Sequence, residues 1–271
     1  MAKSGKSIKS CGSKSHLVHN KKQNKDLGSL KSTLGKIYNA VNLKTECKHN
    51  VCCCNISCPQ MSYSEFSSLI NEVWNKFSQK EKLGLLLTSL EYFFKNDFKK
   101  WGMETLLKPC LLLDKDTKMC RVYETRPLNC RLYGLWPKEE YEKRVDRFEK
   151  VYAPLGLKRS DLPLNTQCPF VKRVDDSTPI TTEVIAEMFA KLDRIDEEVG
   201  QFSKLQISQK ENYRTFHDWL LLKVLGEDWL VKLTTFCMAA TREVMEDQIK
   251  AIHAVWSESF KDGLPDITKV L

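Results

Sequence analysis

Nine of the eleven cysteines in this chain crowd into three short segments. The first reads Cys47-Lys-His-Asn-Val-Cys52-Cys53-Cys54-Asn-Ile-Ser-Cys58-Pro59. The second runs from Pro109-Cys110 through Cys120, Tyr123, Arg126-Pro127 and Cys130 to Tyr133-Gly134. The third is Gln167-Cys168-Pro169-Phe170. Thiolates are ligands for zinc and for iron–sulfur clusters. The N-terminal lysines are followed by no apolar stretch of the kind that directs export, so a disulfide framework is disfavoured and metal ligation favoured. Two cysteines stand apart: Cys11 in a lysine-rich stretch, and Cys237 in an apolar helical pattern with Leu233, Phe236 and Met238, where a core thiol is the expectation.

The middle segment permits a geometric expectation. Asp114-Lys-Asp-Thr117 is a good turn sequence between apolar flanks. A hairpin centred there pairs residues whose numbers sum to about 231, which sets Cys110 nearly opposite Cys120. Opposed Cβ atoms lie roughly 5 Å apart, so two thiolates reach one ion. Arg126-Pro127 then bends the chain, because proline fixes φ and restricts its predecessor, and the bend returns Cys130 towards the hairpin. Cys168, on a loop before a proline, is the fourth candidate ligand. Four thiolates suit tetrahedral zinc or a cluster equally. Arg126 is a candidate for a hydrogen bond to a thiolate or cluster sulfide, with a backbone brace as the plainer role.

The first segment could supply a second site. Cys54-x3-Cys58-x2-Met61 comes within one residue of the three-cysteine pattern of radical enzymes that bind S-adenosylmethionine, but Met61 stands where the third cysteine belongs, which argues against such a site. His49 could replace a thiolate, although an exposed loop histidine is the default. His217 and His253 fall in helical patterns, where structural roles are expected. Tyr123, Tyr133 and Trp136 are expected to pack around the knot. No phosphate-cradling glycine loop, nucleophile elbow or HExxH helix is present.

Together the segments resemble the YkgJ-type cysteine-cluster family. The adjacent cysteines followed by Ser62-x-x-Glu65 resemble its first block. Pro109-Cys110 through Cys120-x2-Tyr123-x2-Arg126-Pro127-x2-Cys130 resembles its second, which is the specific part. The similarity covers residues 47–134 and extends to Cys168. It implies a cysteine-chelated zinc or iron centre, which can be a 4Fe-4S cluster, and no single settled activity. The chain departs from the pattern in having three adjacent cysteines and a longer gap after Cys47. Of Cys52, Cys53 and Cys54, the pair Cys53 and Cys54 is the better match. The ligand set taken from these readings is Cys47, Cys53, Cys54, Cys58, Cys110, Cys120, Cys130 and Cys168.

Helices must position these segments. Ser62 with Glu65 is a capping box before Phe66, Leu69, Ile70, Val73, Trp74 and Phe77, which recur at helical spacing. A second helix is expected from Gln79 to about Asn96, and a charged surface helix from Lys138 to about Tyr152. From Thr181 the pattern is helical again, through Tyr213–Leu225 and a long or broken helix from Asp228 to Phe260, with Gly226 between them. Strand patterns are almost absent. The fold expected is mainly α, a helical body with a small cysteine-rich, loop or hairpin metal-binding knot. Residues 37–175 are read as the cysteine-cluster domain and residues 176–271 as a helical region packing on it.

Residues 1–36 are read as a disordered basic tail. They hold nine lysines against Asp26, which accounts for the whole formal net charge of +8, since the remainder carries 34 basic and 34 acidic residues. A weak, salt-sensitive contact of the tail with an acidic partner or RNA is possible on charge alone, but no aromatic residues interleave the lysines as a base-stacking platform requires. No apolar run approaches the roughly 20 residues of a membrane span. The expectation is a cytoplasmic metal-binding protein. The alternatives are an iron–sulfur oxidoreductase or protein/RNA-modifying enzyme, with flagellin lysine methylase-like proteins as an associative precedent, and a zinc-stapled interaction protein.

Overall fold

The computed structural model describes residues 28–40, 43, 45–47, 54, 58–106, 108–158, 171–173, 179–199 and 213–263. Within them the architecture is mainly α, as expected. In chain order it comprises α1 (28–39), β1 (Thr45–Cys47), β2 (Gln60–Met61), α2 (Tyr63–Lys76), α3 (Gln79–Phe94), α4 (Phe98–Trp101), α5 (Leu128–Arg131) and α6 (Lys138–Tyr152). There follow β3 (Val171–Arg173), α7 (Thr182–Val199), β4 (Arg214–Thr215), α8 (Phe216–Leu225), α9 (Glu227–Ala239) and α10 (Arg242–Ser259).

Capping boxes start both α2 and α3. Ser62 accepts from the Glu65 backbone while the Glu65 carboxylate accepts from the Ser62 N–H, and Ser78 and Glu81 repeat the arrangement. These boxes satisfy amide groups that a helix start leaves without intrahelical partners. α2 buries Phe66, Leu69, Ile70 and Val73, and α3 buries Leu85, Leu86, Leu90 and Phe94. Against α3 lies α8, which is buried on nearly every side, from Phe216 through Leu222. Trp219 is its keystone: the indole stacks on Phe66 with centroids 6.1 Å apart, and its N–H donates to the Met61 carbonyl at 2.9 Å.

Two small antiparallel pairs join distant parts of the chain. β1 pairs with β3, setting Cys47 opposite Val171, and β2 pairs with β4, setting Gln60 opposite Thr215. One hydrophobic core collects α2, α3, α8 and residues of α9 and α10; a second collects α1, α5 and α7. Both cores draw on residues before and after position 176, so the C-terminal helices are built into the body that carries the cysteines.

Two expectations change and one open alternative is decided. Residues 28–36, assigned to the basic tail, are helical; Leu34 and Ile37 are buried against Leu128, Leu132 and Leu192. Leu30 and Tyr38 pack on the same core, so an apolar face at helical spacing docks the helix despite its lysines. Residues 1–27 lie outside the described residues. Of the long or broken helix expected from Asp228 to Phe260, the broken form is found, because Ala240 is extended and the Thr241 side chain accepts from the Val244 N–H to start α10. Tyr213 precedes α8, since Arg214–Thr215 forms β4 first. Gly226 does end α8, at φ 80°, a left-handed angle that costs glycine little.

Candidate metal centre

The segment from Pro109 to Arg121 folds back on itself as a narrow hairpin. The Asp114 carboxylate accepts from the N–H groups of Asp116 (3.0 Å) and Thr117 (2.8 Å), making an Asx turn. The Asp114 N–H donates to the Met119 carbonyl at 2.9 Å, and the Arg121 N–H to the Leu112 carbonyl at 3.0 Å. This register sets Cys120 opposite Leu113. The expected pairing of Cys110 with Cys120 is therefore corrected. Asp114 is the first residue of the turn, Lys118 adopts a left-handed φ of 57°, and the axis moves one residue along. Cys110 lies before the paired stretch.

Cys110 and Cys120 nevertheless pack against the same hydrophobic core, of which Cys58 is a buried member at 6% exposure. The Cys110 N–H donates to the Cys54 carbonyl at 2.6 Å, which sews the first cysteine segment to the second. Cys58 and Cys110 both lie near enough to Tyr92 for their charge to act on its hydroxyl; burial first, then these thiols and Glu91, push that phenol up to about 12.

Cys130 arrives on α5, a single turn that docks on β2. Asn129 donates through Nδ2 to the Gln60 carbonyl at 2.6 Å, and the Leu128 N–H donates to Glu65 Oε1 at 2.6 Å. Tyr38 of α1 donates to the same Glu65 oxygen at 2.8 Å. Glu65 is thus more than a helix cap: at 2% exposure its carboxylate joins α1, α2 and α5. Burial raises its pKa despite three hydrogen bonds that favour its charge. Only the helix-capping half of this role was legible in the sequence. Arg126 donates through Nε to the Tyr123 carbonyl at 2.9 Å, and its guanidinium lies 3.4 Å from the Tyr123 ring centroid. Both contacts brace the turn that leads to Cys130.

Of the remaining candidates, Cys47 lies in β1, and its partner Val171 follows Cys168 by three residues. His49, Cys52, Cys53 and Cys168 fall outside the described residues. Among the described residues, no three of His, Cys, Asp and Glu surround a single ion position. Cys237 sits in α9, where burial pushes its thiol up to about 11, as befits a core cysteine. His253 lies 3.3 Å from the Leu87 carbonyl, a structural contact. His217 is buried edge-on to Tyr92, with centroids 5.4 Å apart, and burial lowers its pKa to about 4. Trp136 stacks on Phe189. The thiol-rich donor set, brought in by separate segments beside prolines, fits zinc or iron by its chemistry.

No described helix is long and apolar enough to cross a membrane. No curated protein and no solved structure matches the chain. Residues 45–148 match the model of the CxxCxxCC family, described as "Putative zinc- or iron-chelating domain". That stretch spans β1 to α6 and contains every described cysteine except Cys237. The match supports metal binding in general and identifies residues 45–148 as a domain of the CxxCxxCC cysteine-cluster type.

Proposed function

We propose that the chain is a cytoplasmic, cysteine-ligated metal-binding protein of the YkgJ type. Cys54, Cys58, Cys110 and Cys120, with Cys47, Cys53, Cys130 and Cys168, supply thiolates to one or two zinc or iron centres. The observation that carries the reading is the 2.6 Å hydrogen bond from Cys110 to Cys54, which joins cysteine segments more than fifty residues apart. The buried Cys58 and the approach of α5 to β2 support it. Anaerobic purification with metal analysis and a visible spectrum tests it. A colourless protein with stoichiometric zinc, or a brown one with iron and sulfide, supports the proposal; a metal-free protein that takes up neither ion sinks it.

A second reading, an enzyme with an open coordination position on an iron–sulfur centre, draws support from one feature. A cavity of about 360 Å³ is lined by Tyr92 and Lys108, next to the Cys110 segment, together with Glu91, Lys95, Met103 and Glu104. That volume suits a small substrate. The basic N-terminal stretch would add a salt-sensitive contact with an acidic partner or RNA.

A further inference from the structure

The C-terminal end of α3 and the segment that delivers Cys110 are joined by reciprocal hydrogen bonds. The Tyr92 hydroxyl donates to the Pro109 carbonyl at 3.0 Å. In return the Lys108 ammonium donates to the Tyr92 carbonyl at 2.8 Å and to Asn96 Oδ1 at 3.0 Å. Cys110 itself donates to the Cys54 carbonyl at 2.6 Å. The backbone is therefore held at Lys108, at Pro109 and at Cys110 in succession.

Lys108 is 8% exposed, and both of its hydrogen-bond acceptors are neutral. Among the described residues no carboxylate bonds to it; Asp218 acts on it only through space. Burying an ammonium without a bonded counter-ion is costly, and a methionine would pack there without that penalty. What the lysine gives in return is the pair of hydrogen bonds that tie its segment to Tyr92 and Asn96.

We propose that Tyr92 and Lys108 are positioning residues for Cys110: their reciprocal hydrogen bonds fix the segment that presents its thiol to a metal. The proposal rests on the metal-binding reading and deepens it by naming the side chains that orient one of its ligands.

The test is a double-mutant cycle on the full chain, read as zinc affinity by competition with a chromophoric chelator and as the thiolate-to-cobalt charge-transfer band of the cobalt-loaded protein. Partners that orient a metal ligand typically change affinity by about 10–100-fold. Tyr92→Phe and Lys108→Met are each expected to weaken zinc binding by about tenfold or more and to diminish the cobalt band. In a Cys110→Ser background the same substitutions are expected to change affinity by less than about twofold, because the ligand they position is gone. Wild-type affinity in Tyr92→Phe and Lys108→Met overturns the proposal. So does an equal loss with and without Cys110, which would mark a general structural effect. If the wild-type chain binds neither metal, or Cys110→Ser binds as tightly as wild type, it is the metal reading at Cys110 that has failed, and the proposal falls with it.

Discussion

Glu65 concentrates more structure in one carboxylate than any other described side chain in the cysteine region. Three donors from three elements converge on it: Tyr38 Oη, Leu128 N and Ser62 N. Glu65→Ala leaves all three, two of them buried and Tyr38 partly so, without that acceptor. At about 1–3 kcal/mol for each orphaned group, a loss of roughly 3 kcal/mol or more is expected in urea denaturation, against about 1 kcal/mol for Tyr38→Phe. A loss below 1 kcal/mol for the alanine variant would refute the hub. Two other buried groups give opposing pH dependences. Burial raises Asp196, which accepts from the Tyr63 and Ser64 N–H groups, to about 6. Its folded form takes up a proton before the unfolded chain does, so its contribution to stability grows as pH falls through 6 and is lost as pH rises through 6. Burial lowers His217 to about 4, so the unfolded chain takes up that proton first, and stability is lost as pH falls from 6.5 towards 4. Each effect is on the order of 3 kcal/mol. Between pH 7 and pH 4, urea midpoints of His217→Asn should fall less steeply than those of wild type, and those of Asp196→Asn more steeply. Profiles parallel to wild type would show that these groups are not the ones titrating.

Among the elements, the hairpin shows how a local signal can name a structure and still miss its register. Asp114-Lys-Asp-Thr117 announces a turn, but the residue that begins it is chosen by which amides the Asp114 carboxylate captures, and those are Asp116 and Thr117. The left-handed Lys118 completes the turn. A left-handed backbone costs a side chain with a Cβ about 1 kcal/mol relative to glycine. Lys118→Gly should therefore raise stability by up to about 1 kcal/mol in urea denaturation while preserving the hairpin's amide protection pattern. A stability loss would mean that the turn is held some other way. The capping boxes were plain at Ser62, and the identical Ser78-x-x-Glu81 signal was available one helix later. That the helix from Asp228 breaks was left open, because the apolar spacing continues across Ala240, and the extended backbone there is what separates α9 from α10.

Across the whole molecule, the two cores are shared between the cysteine region and the C-terminal helices. The metal-binding proposal therefore predicts that chelation leaves most of the helical signal intact. A metal-stripped sample should retain its far-ultraviolet circular dichroism near 222 nm while losing thermal stability; collapse of the helical signal would mean that the metal organises the cores themselves. The N-terminus gives a second test. Removing residues 1–27 should change neither the thermal midpoint nor the metal content. Removing residues 1–36 also deletes the buried Leu34. A buried leucine is worth about 2–5 kcal/mol, so the midpoint should drop by about 5 °C or more. Equal midpoints for the two truncations would return residues 28–36 to the tail.

The chain's own residue order determined its helical class, the starts of α2 and α3, the limits of α6 and the confinement of reactive cysteines to three segments. These features are encoded in spacings of three or four residues, in caps and in breaks, all of which act over one or two turns of chain. Tertiary structure alone decided that Glu65 would reach Leu128, that β2 would pair with β4, that Tyr92 would hold Pro109, and that Cys54 would meet Cys110. Those contacts join residues far apart along the chain. They depend on how whole helices dock, through the summed burial of many side chains, and no short stretch of sequence carries that information.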